Sequence, residues 1–439
     1  MVRFIGLDVH KRVVQVCLLD AAGQPLGQQR FALSRATLLD FARTQLQPDD
    51  RLVLEATTNT WALVGLLRPF VAELAVSNPQ QTRAIAQAKV KTDKVDAHVL
   101  AQLLRCDFLP RVWEPDAATQ ELRRLCSRRA GLVGQRTAVK NRLHAVLAMR
   151  LLLPPVDDLF SAKGRAWLQS CELDAEGRSL LDSDLRLLEA LEAELATLDG
   201  LLVGKAYADD RVKLLLTLPG VDYTVAQTLL AALGEIGRFR SADQAASYLG
   251  LCPSTKQSAE RCVHGPITKR GSGQARWLMV QAAQHLGKHP GPLGVFFRRL
   301  ARKKTRNVAV VATARKLVVI AWHLLTRREP YRYAQPRTTE TKLQRLRVKA
   351  TGQRRKTGPK AGQGTGGPKL AAGVRSRTIK PLAQVCQEEG LPAPGAPPAG
   401  EARTVADSGT AAYVGSLQAA QVLAQRPRPT PPAAPAAPD

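Results

Sequence analysis

The stretch KTDKVDAHVL at residues 91–100 sets Asp93 and Asp96 three positions apart, at the head of an apolar helical run. One chemistry for the pair is capping: Asp93 as N-cap and Asp96 in the first turn, serving orphan N–H groups and the positive end of the helix dipole. The other is ligation, because side chains at that spacing share a helix face and can hold a divalent cation. Two further carboxylates end strand-like runs, Asp8 in FIGLDVHK and Glu55 in LVLEATTNT. Each alone reads as a strand-end or rim charge. Together, strand-end carboxylates met by a helix carrying two more would converge and clamp two metal ions about 4 Å apart, as in-line phosphoryl transfer requires.

The elements needed to position these groups are legible in the first ~110 residues. Residues 2–8, 13–19 and 26–33 have strand character, with the turn DAAGQP between the second and third. A helix over about 34–46, a buried strand RLVLEA, a helix WALVGLLRPF and a strand ELAVSN precede the helix that starts at Asp93. This β-β-β-α-β-α-β-α order predicts a mixed sheet flanked by helices over residues 1–112. Residues 113–204 turn helical, and a leucine stripe in LRLLEALEAELATLDGLL predicts a coiled-coil hairpin or dimerisation arm. A third, helical unit follows over 205–330. Beyond it, residues 331–439 turn basic and Gly-rich, then Pro- and Ala-rich, a composition expected to remain disordered and to add nonspecific polyanion affinity.

A net charge of +27 on 439 residues excludes an enzyme built only for neutral ligands and calls for a polyanionic partner, nucleic acid before membrane. No apolar run looks long enough to span a bilayer, and VAVVATARKLVVIAWHLL, interrupted by Arg315 and Lys316, reads as a basic amphipathic helix. The N-terminus enters a strand pattern without an export signal, so a cytoplasmic protein is expected. Seven scattered cysteines suit reduced thiols, and Cys252, Cys262 and His264 make too incomplete a set for zinc.

Two stretches in the third unit carry further chemistry. LLLTLPGVDYTVAQTLLAALGEIGRF has a Pro-Gly break at Gly220 between two helices. It is either a plain αα-hairpin or a helix-hairpin-helix whose turn offers N–H groups to a phosphate. Then YLGLCPSTKQSAERCVHGPITKRGSGQARWLM offers three serines, Ser254, Ser258 and Ser272, each of which could simply cap or hydrogen-bond. Lys256, Arg261, Lys269, Arg270 and Arg276 around them suit phosphate contacts. No Ser-His-Asp spacing is visible here, which leaves His264 as a weak candidate base and a metal as the stronger means of activating a serine.

IGLDVHK, LEATTNT and KTDKVDAHVLAQLL, in this order, resemble the IS110/IS1111-type transposases, and the resemblance covers about residues 1–330. It implies an RNase-H/RuvC-like domain with a D-E-D-D ligand set, here Asp8, Glu55, Asp93 and Asp96, holding Mg²⁺ at a two-metal site. It also implies a helix-hairpin-helix transposase domain, in which Ser258, five residues past the motif proline, attacks DNA to form a covalent phosphoserine. DNA ends and target, a guide RNA and a homo-oligomer, dimer or tetramer, are the implied partners, with no membrane. Asp222 stands where many members have a second Gly, and Ala259-Glu260 replaces a Ser/Gly-rich consensus. A junction-resolving nuclease using water, and a nonenzymatic nucleic-acid-binding decayed transposase, are the alternative expectations.

Overall fold

The computed structural model describes residues 2–86, 92–258, 260–353 and 375–425, which form two compact units divided at Asp116/Ala117. The first contains β1 (Phe4–Val9), β2 (Val13–Leu19), β3 (Pro25–Ala32), α1 (Arg35–Gln45), β4 (Arg51–Glu55), α2 (Thr60–Leu67), β5 (Glu73–Ser77), α3 (Pro79–Ile85) and α4 (Asp93–Arg105). Its sheet runs β3-β2-β1-β4-β5, antiparallel from β3 to β1 and parallel from β1 through β4 to β5. This mixed sheet with flanking helices fits an RNase-H/RuvC-like domain. The short helix α3 was not anticipated.

Alternation along the strands sends successive side chains to opposite faces. Ile5, Leu7, Leu52 and Leu54 pack with α1 and α2 in one core layer, while Phe4, Val53 and Ala75 pack with Ala97, Leu100, Ala101 and Leu104 of α4 in the other. The same alternation puts Gly6 and Asp8 on the α4 side of β1 and Glu55 on the α4 side of β4. Gly6 is required there, since a Cβ at this position would sit 2.0 Å from the Ala97 carbonyl oxygen. The missing side chain lets α4 lie against β1.

The second unit opens with α5 (Ala117–Ala148), α6 (Ala162–Ser170) and α7 (Ala175–Ala208). Helices α5 and α7 run antiparallel, bridged by Arg129–Asp199 and Arg142–Asp184 ion pairs over a leucine-rich seam, and Arg150, just past α5, pairs with Asp174, the N-cap of α7. Next come α8 (Asp210–Leu216), α9 (Tyr223–Leu233), α10 (Ala242–Tyr248), a two-stranded hairpin of β6 (Pro253–Ser258) and β7 (Arg261–Ile267), α11 (Gly273–Gln284), α12 (Pro292–Lys303) and α13 (Arg306–Arg327). The boundary expected near residue 204 does not divide compact units, because α5 packs on α9 as well as on α7. By length and composition α13 is apolar enough to cross a membrane, contrary to the expectation from sequence. Half of its most apolar window is buried within the protein, and its Ala314, Leu317, Val318 and Ala321 are core residues.

The disorder expected over residues 331–439 is corrected for the described residues, 331–353 and 375–425. α14 (Pro336–Thr351), β8 (Arg375–Ile379), α15 (Leu382–Glu388), α16 (Ala399–Asp407), α17 (Ala411–Ser416) and β9 (Gln421–Gln425) follow α13. Tyr331, Tyr333, Leu343, Leu346, Leu382, Val385 and Cys386 all join the main core of the unit. The Gly-rich basic stretch over 354–369 and the Pro/Ala-rich end at 427–439 lie outside the described residues.

One residue of this extension holds the α8–α9 turn directly. Lys342 Nζ on α14 donates to the carbonyl oxygens of Leu218 and Val221, at 2.6 and 2.9 Å. Burial lowers its amine from the ordinary 10.5 to about 7, against the opposing pull of Asp222. Between those values the unfolded chain carries a proton that the folded chain does not, so stability rises with pH there, by at most ~1.4 kcal/mol per pH unit. Below about pH 7 both states are protonated and the full cost of the buried charge is present. Denaturation midpoints of the helical unit at pH 7, 8 and 9 should climb in the wild type, and Lys342→Met should flatten that climb.

Candidate active site

The first question is which residue caps α4. Thr92 is the N-cap: its backbone is extended and its side-chain oxygen accepts from the Val95 N–H at 3.3 Å. Asp93 is therefore the first helical residue, and the capping role considered for it falls to its neighbour. Asp93, Ala97, Leu100, Ala101 and Leu104 follow the three- and four-residue spacing of one helix face. The apolar members of that face are pressed on the sheet, so Asp93 and Asp96 stand at its head, beside the C-terminal end of β1.

Asp8, 9% exposed, is the most enclosed carboxylate of the group. Its Oδ2 lies 3.1 Å from His10 Nε2, which is also 3.1 Å from Asp93 Oδ1. Potential ligand atoms of Asp8, His10 and Asp93 all fall within 4.8 Å of one another, a spacing that suits a cation. Glu55 ends β4, and β4 pairs in parallel with β1 up to the Leu7–Leu54 rung, one residue short of Asp8 and Glu55. Strand order thus brings Glu55 beside Asp8 on the α4 face.

The electrostatics point the same way. Burial pushes the Asp8 carboxyl above the ordinary range, His10 opposes that, and the charges of Asp93 and Asp96 raise it further. Asp8 in turn is the main cause of a raised pKa at His10, ahead of Asp93 and against desolvation. A desolvated Asp8 repelled by Asp93 and Asp96, with His10 between Asp8 and Asp93, forms a set of hard oxygen donors that favours added positive charge. A divalent metal fits that set. His10 was not singled out from sequence. The available signal was its place two residues beyond Asp8, on the same alternating face.

In the helical unit, the serine stretch is a β-hairpin rather than a loop. Register pairs Ser258 with Arg261, Lys256 with Val263, Gln257 with Cys262 and Thr255 with His264. By alternation Ser258, Lys256 and Arg261 share one hairpin face, at its exposed tip. His264 is on the other face, its Nδ1 3.1 Å from Thr255 Oγ1, which removes it as the base for Ser258. Ser272 is the N-cap of α11, accepting from Ala275 N–H at 3.2 Å.

At the base of the hairpin, Lys269 adopts a left-handed backbone (φ 55°) between Gly250 (φ 68°) and Gly271 (φ 69°). A Cβ at Gly271 would stand 2.0 Å from the Tyr248 carbonyl oxygen, so the Lys269–Arg270 segment is tightly seated. A non-glycine residue in that region is uncommon, and among the described residues Lys269 shares it with Asp107, Leu151 and Arg328. Arg276 Nη1 donates to the carbonyls of Leu249 and Arg270, at 3.0 and 2.9 Å, which holds this segment in place. Gly220 is left-handed (φ 77°), and a Cβ there would sit 2.3 Å from the Ala282 carbonyl oxygen, two separate reasons for glycine at the turn. Asp222 caps α9 through Val225 N–H at 2.8 Å, so the departure from a glycine there has a local structural use.

A family model described as a transposase, of the DEDD type of IS110 elements, matches residues 5–149. A second, described as a transposase of the IS116/IS110/IS902 family, matches residues 212–294. The chain is 26% identical over 347 residues to the transposase for insertion sequence element IS1111A of Coxiella burnetii, covering 75% of this chain and 92% of that protein. It is 28% identical over 348 residues to a probable family 20 transposase of Pseudomonas aeruginosa, covering 75% and 98%. Similarity to a pilin gene-inverting protein of Moraxella bovis is 25% over 343 residues, covering 75% and 97%.

Proposed function

Since the chain belongs to the IS110/IS1111-type transposases and is a DNA transposase/recombinase, we propose that it cuts and rejoins DNA through a covalent Ser258 phosphodiester, with Asp8, Glu55, Asp93 and Asp96 as ligands for Mg²⁺. The observation that carries the reading is the meeting of Asp8 and Asp93 at the end of β1, with Glu55 on the same face. A pair of Mg²⁺ ions held there would supply the Lewis acidity that lets a hydroxyl lose its proton near neutral pH and that neutralises charge building on a phosphate.

The chain's own residues do the rest. His10 bridges Asp8 and Asp93 and fixes their carboxylates against β1. Lys256 and Arg261 flank Ser258 and hold the scissile phosphate against it, while Lys269 and Arg270 grip the backbone further along. Attack forms the Ser258 Oγ–phosphorus bond and breaks a phosphorus–oxygen bond of the strand, releasing a strand-end hydroxyl. Attack by a second strand's hydroxyl on the phosphoserine restores Ser258 and joins the new partner. Guidance by an element-encoded RNA and action in the cytoplasm as a homo-oligomer belong to the same proposal, supported by the family alone.

The test uses the full chain with DNA carrying the element's ends and its adjoining RNA, in Mg²⁺ or EDTA, followed by denaturing gels and peptide mapping. A Mg²⁺-dependent adduct on Ser258 is expected. Cleavage without an adduct would make the protein a water-using nuclease, and binding without cleavage a nonenzymatic DNA-binding protein.

A further inference from the structure

Between Glu260 and Glu329 the chain has fifteen Lys and Arg residues and no Asp or Glu. Part of this charge surrounds a cavity that neither the carboxylate cluster nor the serine hairpin uses. The cavity, of about 610 Å³, lies between α12, α13 and the C-terminal helix α16. Its volume is within the roughly 300–1,000 Å³ of small-molecule sites. Leu293, Phe296, Val319, Ile320 and Val405 make apolar walls, and Arg299, Lys316 and Arg327 stand among the lining.

Arg332 in the same cavity is tied to Glu329 and Glu401, at 3.3 and 2.9 Å. Among the described residues Arg299, Lys316 and Arg327 form no such ion pair. The Arg299 guanidinium stands 5.8 Å from the Phe296 ring centroid, so a flat cation and an aromatic ring border one slot. His323, also in the lining, is pushed below its ordinary range by burial first and then by Arg327 and Lys316, against the opposing pull of Glu401. Aromatic and guanidinium planes beside free cations are what an unstacked base and its phosphates require. A lipid tail would use the walls and leave the stacking pair without a partner.

We propose that this cavity receives one nucleotide unstacked from a bound nucleic acid, its base against Phe296 and its phosphates on Arg299, Lys316 and Arg327. The extension beyond residue 390 then forms one wall of a nucleic-acid subsite, through Gly400, Glu401 and Val405. The inference rests on the chain's family and is independent of the Ser258 and Mg²⁺ assignments, so EDTA and Ser258→Ala should leave it intact.

The probes are duplexes with 2-aminopurine either paired or in a one-nucleotide bulge, each made as DNA and as an RNA–DNA hybrid, titrated against the full-length protein. The bulged form should bind about tenfold tighter, in the range of one base–aromatic stack. Its fluorescence should change on binding, and the favoured backbone identifies the source of the nucleotide. A Cβ at Gly400 meets nothing within 4 Å, so Gly400→Trp should fill the cavity without disturbing the fold. That variant should lose the bulge preference and keep its affinity for the paired duplex, and Arg299→Gln with Lys316→Gln should do the same in part. Equal affinity for both probes in the wild type, or an unchanged preference in Gly400→Trp, would overturn the assignment. So would competition for the cavity by phosphatidylglycerol vesicles but not by the bulged probe.

Discussion

Replacing Asp8 with Asn is expected to lower metal-dependent strand transfer by roughly 10³-fold or more, because a lost ligand forfeits several kcal/mol of charge stabilisation in the transition state. DNA affinity should change little, since it rests on Lys and Arg. The folded protein without metal should be no less stable. Asp8 is desolvated and repelled by Asp93 and Asp96, so removing its charge relieves both effects. What should vanish is the stabilisation that Mg²⁺ gives the wild type, ~2.7 kcal/mol at a hundred times Kd. Thermal melts with and without Mg²⁺, run beside the transfer assay, separate this from a structural role. Thr92→Ala is the companion variant: as loss of the α4 cap it should cost ~1 kcal/mol and leave the chemistry in place. Full transfer by Asp8→Asn would end the metal-centre reading.

Ser258→Ala should remove the protein–DNA adduct completely and reduce strand transfer by roughly 10⁴-fold or more, as loss of a covalent nucleophile does. Ser258 is exposed at the hairpin tip, so the melting temperature should not move. Ser272→Ala gives the reverse pattern, a cost of ~1 kcal/mol to α11 with the adduct retained. The adduct should also disappear in Asp8→Asn, and that shared dependence distinguishes one chemistry needing both groups from two separate ones. An adduct mapped to Ser272 or Ser254 would refute the choice of nucleophile.

Much of the sheet unit was readable because its central strands are short continuous runs of apolar residues, buried on both faces of the sheet. Val13–Leu19 and Arg51–Glu55 alternate between two packed faces, and a one-residue slip would invert both. The cap of α4 was not readable, since Thr92 and Asp93 are both good N-cap residues and only the seating of Ala97 and Ala101 on β1 decides between them. His10 was hidden for a related reason: a histidine past a strand end has no pattern until Asp93 arrives from residues distant in sequence. The β6–β7 hairpin buries almost nothing, so its sequence carries no apolar alternation. In the C-terminal extension, Pro, Gly and Ala dominate the composition. They mask the three-residue spacing of Leu343 and Leu346 and of Leu382 and Val385, the residues that attach it to the core.

That hairpin has a consequence for how such an enzyme can change. Its strands are exposed along almost their whole length, and residues 257 and 262 or 256 and 263 meet only across the pair. Substitutions at these positions should cost within about ±0.5 kcal/mol, the range of surface changes away from special features. The segment carrying the proposed nucleophile is thus nearly free of folding constraint, while the carboxylate cluster is fastened to a position where only glycine fits. Mutational libraries confined to the hairpin should therefore sample DNA preference with few unfolded members, whereas libraries around β1 and α4 should lose most members to misfolding.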